Sequence, residues 1–127
     1  MKTILVDAFN TFVCENNWIN LEMQELLDSF KNRKIILTNA NEEEKVKFGI
    51  VNMYYEVFSL KHNPNKTDPI YYKKMLEKFD LKIEDIVYFE HNLETVKSVK
   101  SIWINTFLYD KEKKDLKSLE NFLIENI

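Results

Sequence analysis

Near its start the chain reads Ile4-Leu5-Val6-Asp7-Ala8-Phe9-Asn10-Thr11-Phe12. An apolar run ends at Asp7, and a turn-forming Asn10 and the hydroxyl of Thr11 follow, so the pattern predicts a buried strand that ends in an acid. Ligands of open α/β sheets bind outside the carboxyl ends of the strands. Asp7 is therefore a candidate nucleophile, metal ligand or phosphate-binding residue. Two positions further on, Phe9 stands where a second acid would complete a pair.

The chain length fits one domain spanning residues 1–127, and the 45% of hydrophobic residues can build a core. The net charge of −3 offers no basic face, and no apolar stretch is long enough to cross a bilayer, so neither nucleic acid nor a membrane is expected as a partner. Cys14 has no partner for an internal disulfide, which indicates a reducing, cytoplasmic location. A single glycine excludes the glycine-rich phosphate loops.

Strand-like apolar runs alternate with helical patterns along the whole chain. Strands are predicted at residues 2–8, 35–37, 54–59, 86–89 and 103–109. Helices are predicted at residues 21–31, 42–48, 68–79, 93–100 and 113–125, with Asn41 as one N-cap. This alternation indicates an α/β fold, a parallel sheet covered by helices on both faces.

Polar side chains follow three of the predicted strands. Asp7 ends the first, Thr38 and Asn39 follow the second, and the Glu90-His91-Asn92 stretch follows the fourth, while Lys66 lies in the loop before the third helix. Because the carboxyl ends of parallel strands meet at one edge of a sheet, we expect these groups to converge. An acid, a hydroxyl, an amide and a cation are suitable parts for transferring a phosphoryl group to a carboxylate.

The order and spacing of these residues resemble the four motifs of the haloacid dehalogenase-like (HAD) superfamily, hydrolases with an aspartate nucleophile that are mostly Mg²⁺-dependent phosphatases. The first quoted stretch is similar to the family's apolar strand followed by D-x-D-G-T-L. Ile35-Ile36-Leu37-Thr38-Asn39-Ala40 resembles the second motif, Lys66-Thr67-Asp68-Pro69-Ile70-Tyr71-Tyr72 the third (K-P-D-P), and Ile86-Val87-Tyr88-Phe89-Glu90-His91-Asn92 the fourth. The resemblance covers roughly residues 2–109. It implies a three-layer Rossmann-like HAD core.

The resemblance also implies roles for individual residues. Asp7 would be the covalent nucleophile, Thr38 would hydrogen-bond the phosphoryl oxygens, and Lys66 would neutralise charge on the intermediate. Mg²⁺ would be held by Asp7, the backbone carbonyl of Phe9 and Glu90, an incomplete but plausible set for that ion. Four further residues are expected to contact the phosphorylated substrate: Asn10, Thr11, Asn39 and His91.

The sequence departs from the phosphatase pattern in several places. Phe9 replaces the acid that protonates the leaving oxygen and later activates water, a loss that typically costs about 10²–10⁴-fold in rate. Glu90 is one methylene longer than the usual Asp, and His91 replaces the second acid of the fourth motif and could move protons. Only 30 residues separate Asp7 from Thr38, which leaves no room for a large cap domain. An open site of this kind suits a bulky substrate, or a small one enclosed by a homo-oligomer.

These departures keep three interpretations open. The first is a phosphatase-type HAD-like hydrolase with weak activity on a phosphoester. The second is a catalytically impaired HAD-like domain that serves in binding or interaction. The third is a haloacid dehalogenase-like enzyme, since the Asp7-Ala8-Phe9 stretch is closer to that branch's D-A-Y-G-T-L motif than to the phosphatase form. A catalytic interpretation requires that Asp7, Thr38, Lys66 and Glu90 share one pocket.

Overall fold

Five parallel strands form one sheet with helices on both faces in the computed structural model, which describes residues 1–127. The strands are β1 (Thr3–Asp7), β2 (Lys34–Thr38), β3 (Glu56–Ser59), β4 (Ile86–Glu90) and β5 (Thr106–Leu108). The helices are α1 (Leu21–Asp28), α2 (Glu42–Lys47), α3 (Pro69–Phe79), α4 (Leu93–Lys100) and α5 (Leu116–Asn126), and a short 3-10 turn covers Ile83–Asp85. This architecture confirms the predicted three-layer α/β fold without a large cap.

The strand order is β3-β2-β1-β4-β5, so β1 lies at the centre and pairs in parallel with both β2 and β4. In this register Asp7 lies opposite Leu37, one residue before the end of β2, and Val6 lies opposite Phe89, one residue before the end of β4. The polar residues at the three strand ends therefore lie side by side at one edge of the sheet.

The central strands are buried on both faces because side chains alternate across a strand. Ile4 and Val6 belong to a cluster that includes residues of α1 and α5, whereas Leu5 belongs to a second cluster with residues of α3 and α4. Each face of β1 thus packs on its own helix pair, and this sandwich fixes the position of the acid at its end. None of the helices has the length and apolarity that crossing a bilayer requires.

Several predicted boundaries were wrong. The last strand contains only Thr106–Leu108, because Trp103 adopts a left-handed conformation (φ 71°) in the turn after α4 and is 85% exposed. The last helix begins at Leu116, where Asp115 caps it, rather than at residue 113. The first helix ends at Asp28, three residues earlier than predicted. Helix α2 does begin after Asn41, which forms the predicted cap and accepts from the backbone N–H of Glu44 at 2.9 Å.

Tyr71 of α3 joins the ends of β2 and β3 beneath the strand-end edge. Its hydroxyl accepts from the backbone N–H of Thr38 at 3.1 Å and lies 2.9 and 3.0 Å from the carbonyl oxygens of Thr38 and Phe58. We expect Tyr71→Phe to lower the free energy of unfolding by about 1–3 kcal/mol, because buried backbone groups lose their partner. Tyr72→Phe is the matched control, since the Tyr72 hydroxyl is buried without a partner, and its stability should stay near wild type. Urea unfolding of both variants measures the difference, and equal stability would contradict this role of Tyr71.

Candidate functional site

A cavity of about 190 Å³ opens at the carboxyl ends of β1, β2 and β4. The four residues required by a catalytic interpretation all line it: Asp7, Thr38, Lys66 and Glu90. Most of the other predicted site residues also line it, namely Phe9, Asn10, Asn39 and His91. Thr11 does not line this cavity, but its hydroxyl donates to Asp7 Oδ2 at 2.7 Å. The structure therefore brings the residues of all four motif-like stretches to one place.

Lys66 lies between the two carboxylates at the base of the cavity. Its Nζ is 2.7 Å from Asp7 Oδ1 and 2.7 Å from Glu90 Oε1, and the three side chains are only 7%, 3% and 1% exposed. Burial alone would lower the pKa of Lys66, but the charges of Asp7 and Glu90 outweigh it and hold that pKa well above its usual range. Lys66 is thus a fixed cation shared by two acids.

Asp7 is held in its ionised form although it is buried. Burial would raise its pKa, but the Lys66 ammonium and the hydrogen bond and charge of His91 outweigh burial and hold the pKa of Asp7 below its usual range. Its Oδ2 accepts from Thr11 and from the backbone N–H of His91, the latter at 3.2 Å. A carboxylate that is ionised and fixed in orientation has the properties of a nucleophile.

Glu90 differs from Asp7 in the direction of its pKa shift. Burial and the neighbouring Asp7 charge raise the pKa of Glu90, and the Lys66 charge opposes them only in part. Its Oε1 accepts from the Tyr88 hydroxyl at 2.6 Å, and its Oε2 accepts from the backbone N–H of Asn92 at 3.0 Å. The glutamate carboxylate is therefore held by a hydroxyl from its own strand and by a backbone N–H at the start of α4, where Asn92 is the N-cap.

His91 lies between the outer oxygens of the two acids. Its Nδ1 hydrogen-bonds Asp7 Oδ2 and lies 3.3 Å from Glu90 Oε2. Burial would lower the pKa of His91, but the hydrogen bond to Asp7 and the charges of Asp7 and Glu90 raise it above its usual value. When His91 is protonated, two cations balance two carboxylates, so the cluster can be neutral without an added ion.

The pKa of His91 has a direct consequence for stability. Because the folded-state pKa lies above the unfolded value of about 6.5, the stabilisation is fully present below about pH 6.5 and is lost as pH rises through the folded pKa. We expect wild type to exceed His91→Gln in unfolding free energy by more at about pH 5.5 than at about pH 9. Denaturant titrations at both pH values measure the two differences, and a difference that grows with pH would show the wrong sign.

Asn39 and Thr38 are held by the backbone around them. Asn39 Oδ1 accepts from the backbone N–H of Lys66 at 2.7 Å and so fixes the loop that delivers the lysine. Thr38 Oγ1 accepts from the backbone N–H of Ala40 at 3.1 Å, which leaves its own proton to donate into the cavity. Asn10 adopts a left-handed conformation (φ 68°), which asparagine tolerates, in the turn that follows β1.

Phe9 forms one apolar wall of the cavity. Its ring packs on Phe48, which follows α2, with the ring centroids 4.7 Å apart. The cavity stays open between this wall and the acids, so Phe9 does not fill it. Phe9 has no proton to give to a leaving oxygen. The position at which the sequence lacks a second acid is therefore an apolar wall in the structure.

Sequence reasoning missed two residues at the rim. Glu44 lies in the acidic first turn of α2 and His62 in the loop before Lys66, and neither belongs to one of the four motif-like stretches. In the structure His62 Nε2 lies 2.6 Å from Glu44 Oε1, and both residues line the cavity. The position of His62 in the sequence could have identified it as a site residue. It lies four residues before Lys66, in the loop that the third motif-like stretch places at the edge of the sheet.

Three groups at the site are able to hold a metal ion. The ligand atoms of Asp7, Glu90 and His91 all lie within 4.8 Å of one another. Phe9 lines the same cavity, and no group of the protein donates a hydrogen bond to its carbonyl oxygen. The two carboxylates and the carbonyl fit a hard ion such as Mg²⁺, whereas the imidazole adds a nitrogen that transition metals prefer.

Comparisons with solved structures agree on the fold. A crystal structure of an uncharacterized protein from Corynebacterium glutamicum matches with a TM-score of 0.64 and 13% identity, covering 96% of this chain and 94% of that one. An NMR structure of the core domain of a candidate phosphoglycolate phosphatase from Streptococcus pneumoniae matches with a TM-score of 0.58 and 13% identity, covering 85% and 79%. No protein-family model and no curated protein matches the sequence. At this identity the likeness shows the fold, a parallel α/β core similar to that domain.

Proposed function

We propose that this protein is a HAD-like phosphohydrolase in which Asp7 attacks the phosphorus of a phosphoester. The observation that carries the proposal is the buried, ionised Asp7 held 2.7 Å from the Lys66 ammonium in a cavity at the strand ends. The fold is similar to that of a candidate phosphatase core domain, which agrees with this class of reaction. Thr38 and Lys66 supply the hydrogen bond and the positive charge that a phosphoryl group requires.

The reaction divides into two displacements. An oxygen of Asp7 forms a bond to phosphorus, and the bond from phosphorus to the ester oxygen breaks, with its electron pair leaving on that oxygen. Water then attacks the aspartyl phosphate, which releases inorganic phosphate and restores the carboxylate. Lys66 neutralises the charge that develops on the phosphoryl oxygens in both steps. A divalent ion bound by Asp7, Glu90 and the Phe9 carbonyl would supply further neutralising charge.

Proton transfer distinguishes this site from that of an ordinary phosphatase. The leaving oxygen needs a proton unless it is a good leaving group, and Phe9 cannot provide one. His91 is the titratable side chain beside Asp7 that can exchange a proton at its ring nitrogens. We therefore propose that the wild-type protein acts weakly, and best on esters whose alcohols are acidic.

A second candidate function is binding without turnover. Both oxygens of Asp7 already have partners, Lys66 on one side and Thr11 and His91 on the other, and Phe9 replaces the catalytic acid. A site in which the nucleophile is internally satisfied could hold a phosphate-bearing ligand and never transfer its phosphoryl group. The two candidates differ in whether aspartyl phosphate forms.

Hydrolysis of p-nitrophenyl phosphate, with and without Mg²⁺, tests the proposal. We expect measurable release of nitrophenol by wild type and a loss of at least about 10³-fold in Asp7→Asn. Asp85→Asn is the matched control, because Asp85 is exposed and does not line the cavity, and it should retain wild-type activity. Beryllofluoride, a mimic of aspartyl phosphate, should protect wild type against thermal unfolding and fail to protect Asp7→Asn.

The outcomes separate the candidates. Unchanged activity in Asp7→Asn would overturn the nucleophile assignment. Phosphate binding with no turnover by wild type would favour the binding domain. Metal-independent halide release from a chloro-acid, abolished by Asp7→Asn, would instead favour the dehalogenase branch.

A further inference from the structure

The carboxylates of Asp7 and Glu90 each divide their two oxygens between different partners. The inner oxygens, Asp7 Oδ1 and Glu90 Oε1, each lie 2.7 Å from the Lys66 ammonium. The Tyr88 hydroxyl also donates to Glu90 Oε1, at 2.6 Å. The outer oxygens, Asp7 Oδ2 and Glu90 Oε2, lie on the side of His91. Because buried groups already occupy the inner oxygens, the outer oxygens are the ones that an ion entering from the cavity can use.

His91 places a ring nitrogen beside both outer oxygens. Its Nδ1 hydrogen-bonds Asp7 Oδ2 and lies 3.3 Å from Glu90 Oε2. Two donor atoms on adjacent corners of an octahedral ion lie about 3 Å apart when their bonds to the ion are about 2.1 Å long. The backbone N–H of His91 also donates to Asp7 Oδ2, at 3.2 Å, which fixes the residue against the acid. The three donor atoms therefore have the spacing of ligands to a single ion.

The donor set of the outer oxygens and Nδ1 differs from the set that Mg²⁺ prefers. Mg²⁺ binds oxygen and keeps several of its waters, whereas an imidazole nitrogen favours transition ions such as Zn²⁺ and Fe²⁺. The charge also fits a divalent ion. With both carboxylates ionised and the imidazole neutral, Lys66 cancels one of two negative charges and leaves one.

We propose that His91 Nδ1 is a metal ligand, and that it shifts the ion preference of the site from Mg²⁺ towards first-row transition ions such as Zn²⁺. Asp7 Oδ2 and Glu90 Oε2 supply two further protein ligands. Binding exchanges the proton between Nδ1 and Asp7 Oδ2 for the ion. The inference rests on the proposed function for the use of an ion in this cavity, but ion binding itself needs no turnover.

Calorimetric titration of wild type and His91→Gln with Zn²⁺ and with Mg²⁺, in the absence of any phosphoester, tests the inference. We expect His91→Gln to weaken Zn²⁺ binding by at least about 10-fold, since loss of even an outer partner of a metal site typically costs about 10–100-fold. Mg²⁺ binding should weaken much less. The ratio of the two affinities is the quantity to compare, because oxygen ligands alone also bind the two ions with different strengths.

His62→Gln is the matched control. His62 is the other histidine of the chain and lines the same cavity, but it pairs with Glu44 and lies outside the group of three metal-binding side chains. This variant should keep the wild-type ratio of Zn²⁺ to Mg²⁺ affinity. Equal weakening of both ions in His91→Gln, or equal effects of the two histidine variants, would overturn the inference.

A measurement on wild type covers the case in which His91→Gln does not fold. Long-range ¹H–¹⁵N NMR spectra resolve the ring nitrogens of the two histidines. Adding Zn²⁺ should move the Nδ1 resonance of His91 and leave the ring resonances of His62 in place. A His91 resonance that stays unchanged at millimolar Zn²⁺ would contradict ligation.

The two proposals fail in different ways. Zn²⁺ binding that depends on His91, in a protein that hydrolyses nothing, supports the metal ligand and contradicts the phosphohydrolase. Hydrolysis that depends on Asp7, together with an unchanged ratio of ion affinities in His91→Gln, supports the phosphohydrolase and contradicts the metal ligand.

Discussion

Replacing Lys66 with methionine should lower the free energy of unfolding by about 3–5 kcal/mol near neutral pH. The ammonium is 2.7 Å from both Asp7 Oδ1 and Glu90 Oε1, and all three groups are buried. Methionine keeps much of the side-chain volume but removes the positive charge. The two neighbouring carboxylates then repel each other with less positive charge nearby to balance them. Urea unfolding monitored by circular dichroism measures the loss.

Lys61→Met is the matched control for this prediction. Lys61 lies in the same loop region, and its ion pair with Glu42 is exposed, with 3.7 Å between the charged atoms. Exposed pairs contribute about 0–1 kcal/mol, so this variant should stay near wild-type stability. Adding Glu90→Gln to Lys66→Met should restore part of the loss, because it removes one of the two uncompensated carboxylates. A Lys66→Met variant as stable as Lys61→Met would contradict the charged cluster described here.

Replacing Phe9 with aspartate should raise the rate of hydrolysis of alkyl phosphates by about 10²–10⁴-fold. The new carboxyl group would stand two residues after Asp7 at the wall of the cavity, where it can protonate the leaving oxygen and later activate water. Alkyl esters should gain more than p-nitrophenyl phosphate, because their leaving groups depend more on a proton. Values of kcat/KM for both substrates measure the gain.

Phe9→Asn is the control that separates acid catalysis from a change of shape. Both substitutions remove the contact with Phe48, worth about 0.5–1.5 kcal/mol beyond its buried area, so both should be somewhat less stable than wild type. Asparagine has nearly the shape of aspartate and no carboxyl proton, and it should give no comparable gain. Equal rates for the two variants would mean that proton transfer at position 9 does not limit turnover.

The order of the elements and the places where strands end could be predicted because they depend on local chemistry. Apolar runs such as Ile86-Val87-Tyr88-Phe89 are long enough to be strands and stop at polar residues. The cap at Asn41 was predictable for the same reason, since a short polar side chain before an acidic turn satisfies the free N–H groups of a helix.

The misjudged elements depend on contacts that are distant in sequence. The alternation from Trp103 to Tyr109 resembles a strand, but only Thr106–Leu108 pairs with β4, and the turn after α4 takes Trp103 into solvent. The position of His91 between the acids follows from the parallel pairing of β1 with β4, across more than half of the chain. Spacing alone identified His91 as a neighbour of the site but could not reveal this position.

The salt-bridged centre has a consequence for how this chain can change over generations. Asp7, Lys66 and Glu90 come from β1, the loop before α3 and β4, and each is buried against the others. A lineage that lost catalysis would still have to keep the lysine while both acids remained, because loss of the lysine alone leaves unbalanced negative charge inside the protein. Substitutions at these three positions should therefore arise together. The three residues are retained for the stability of the fold as well as for chemistry.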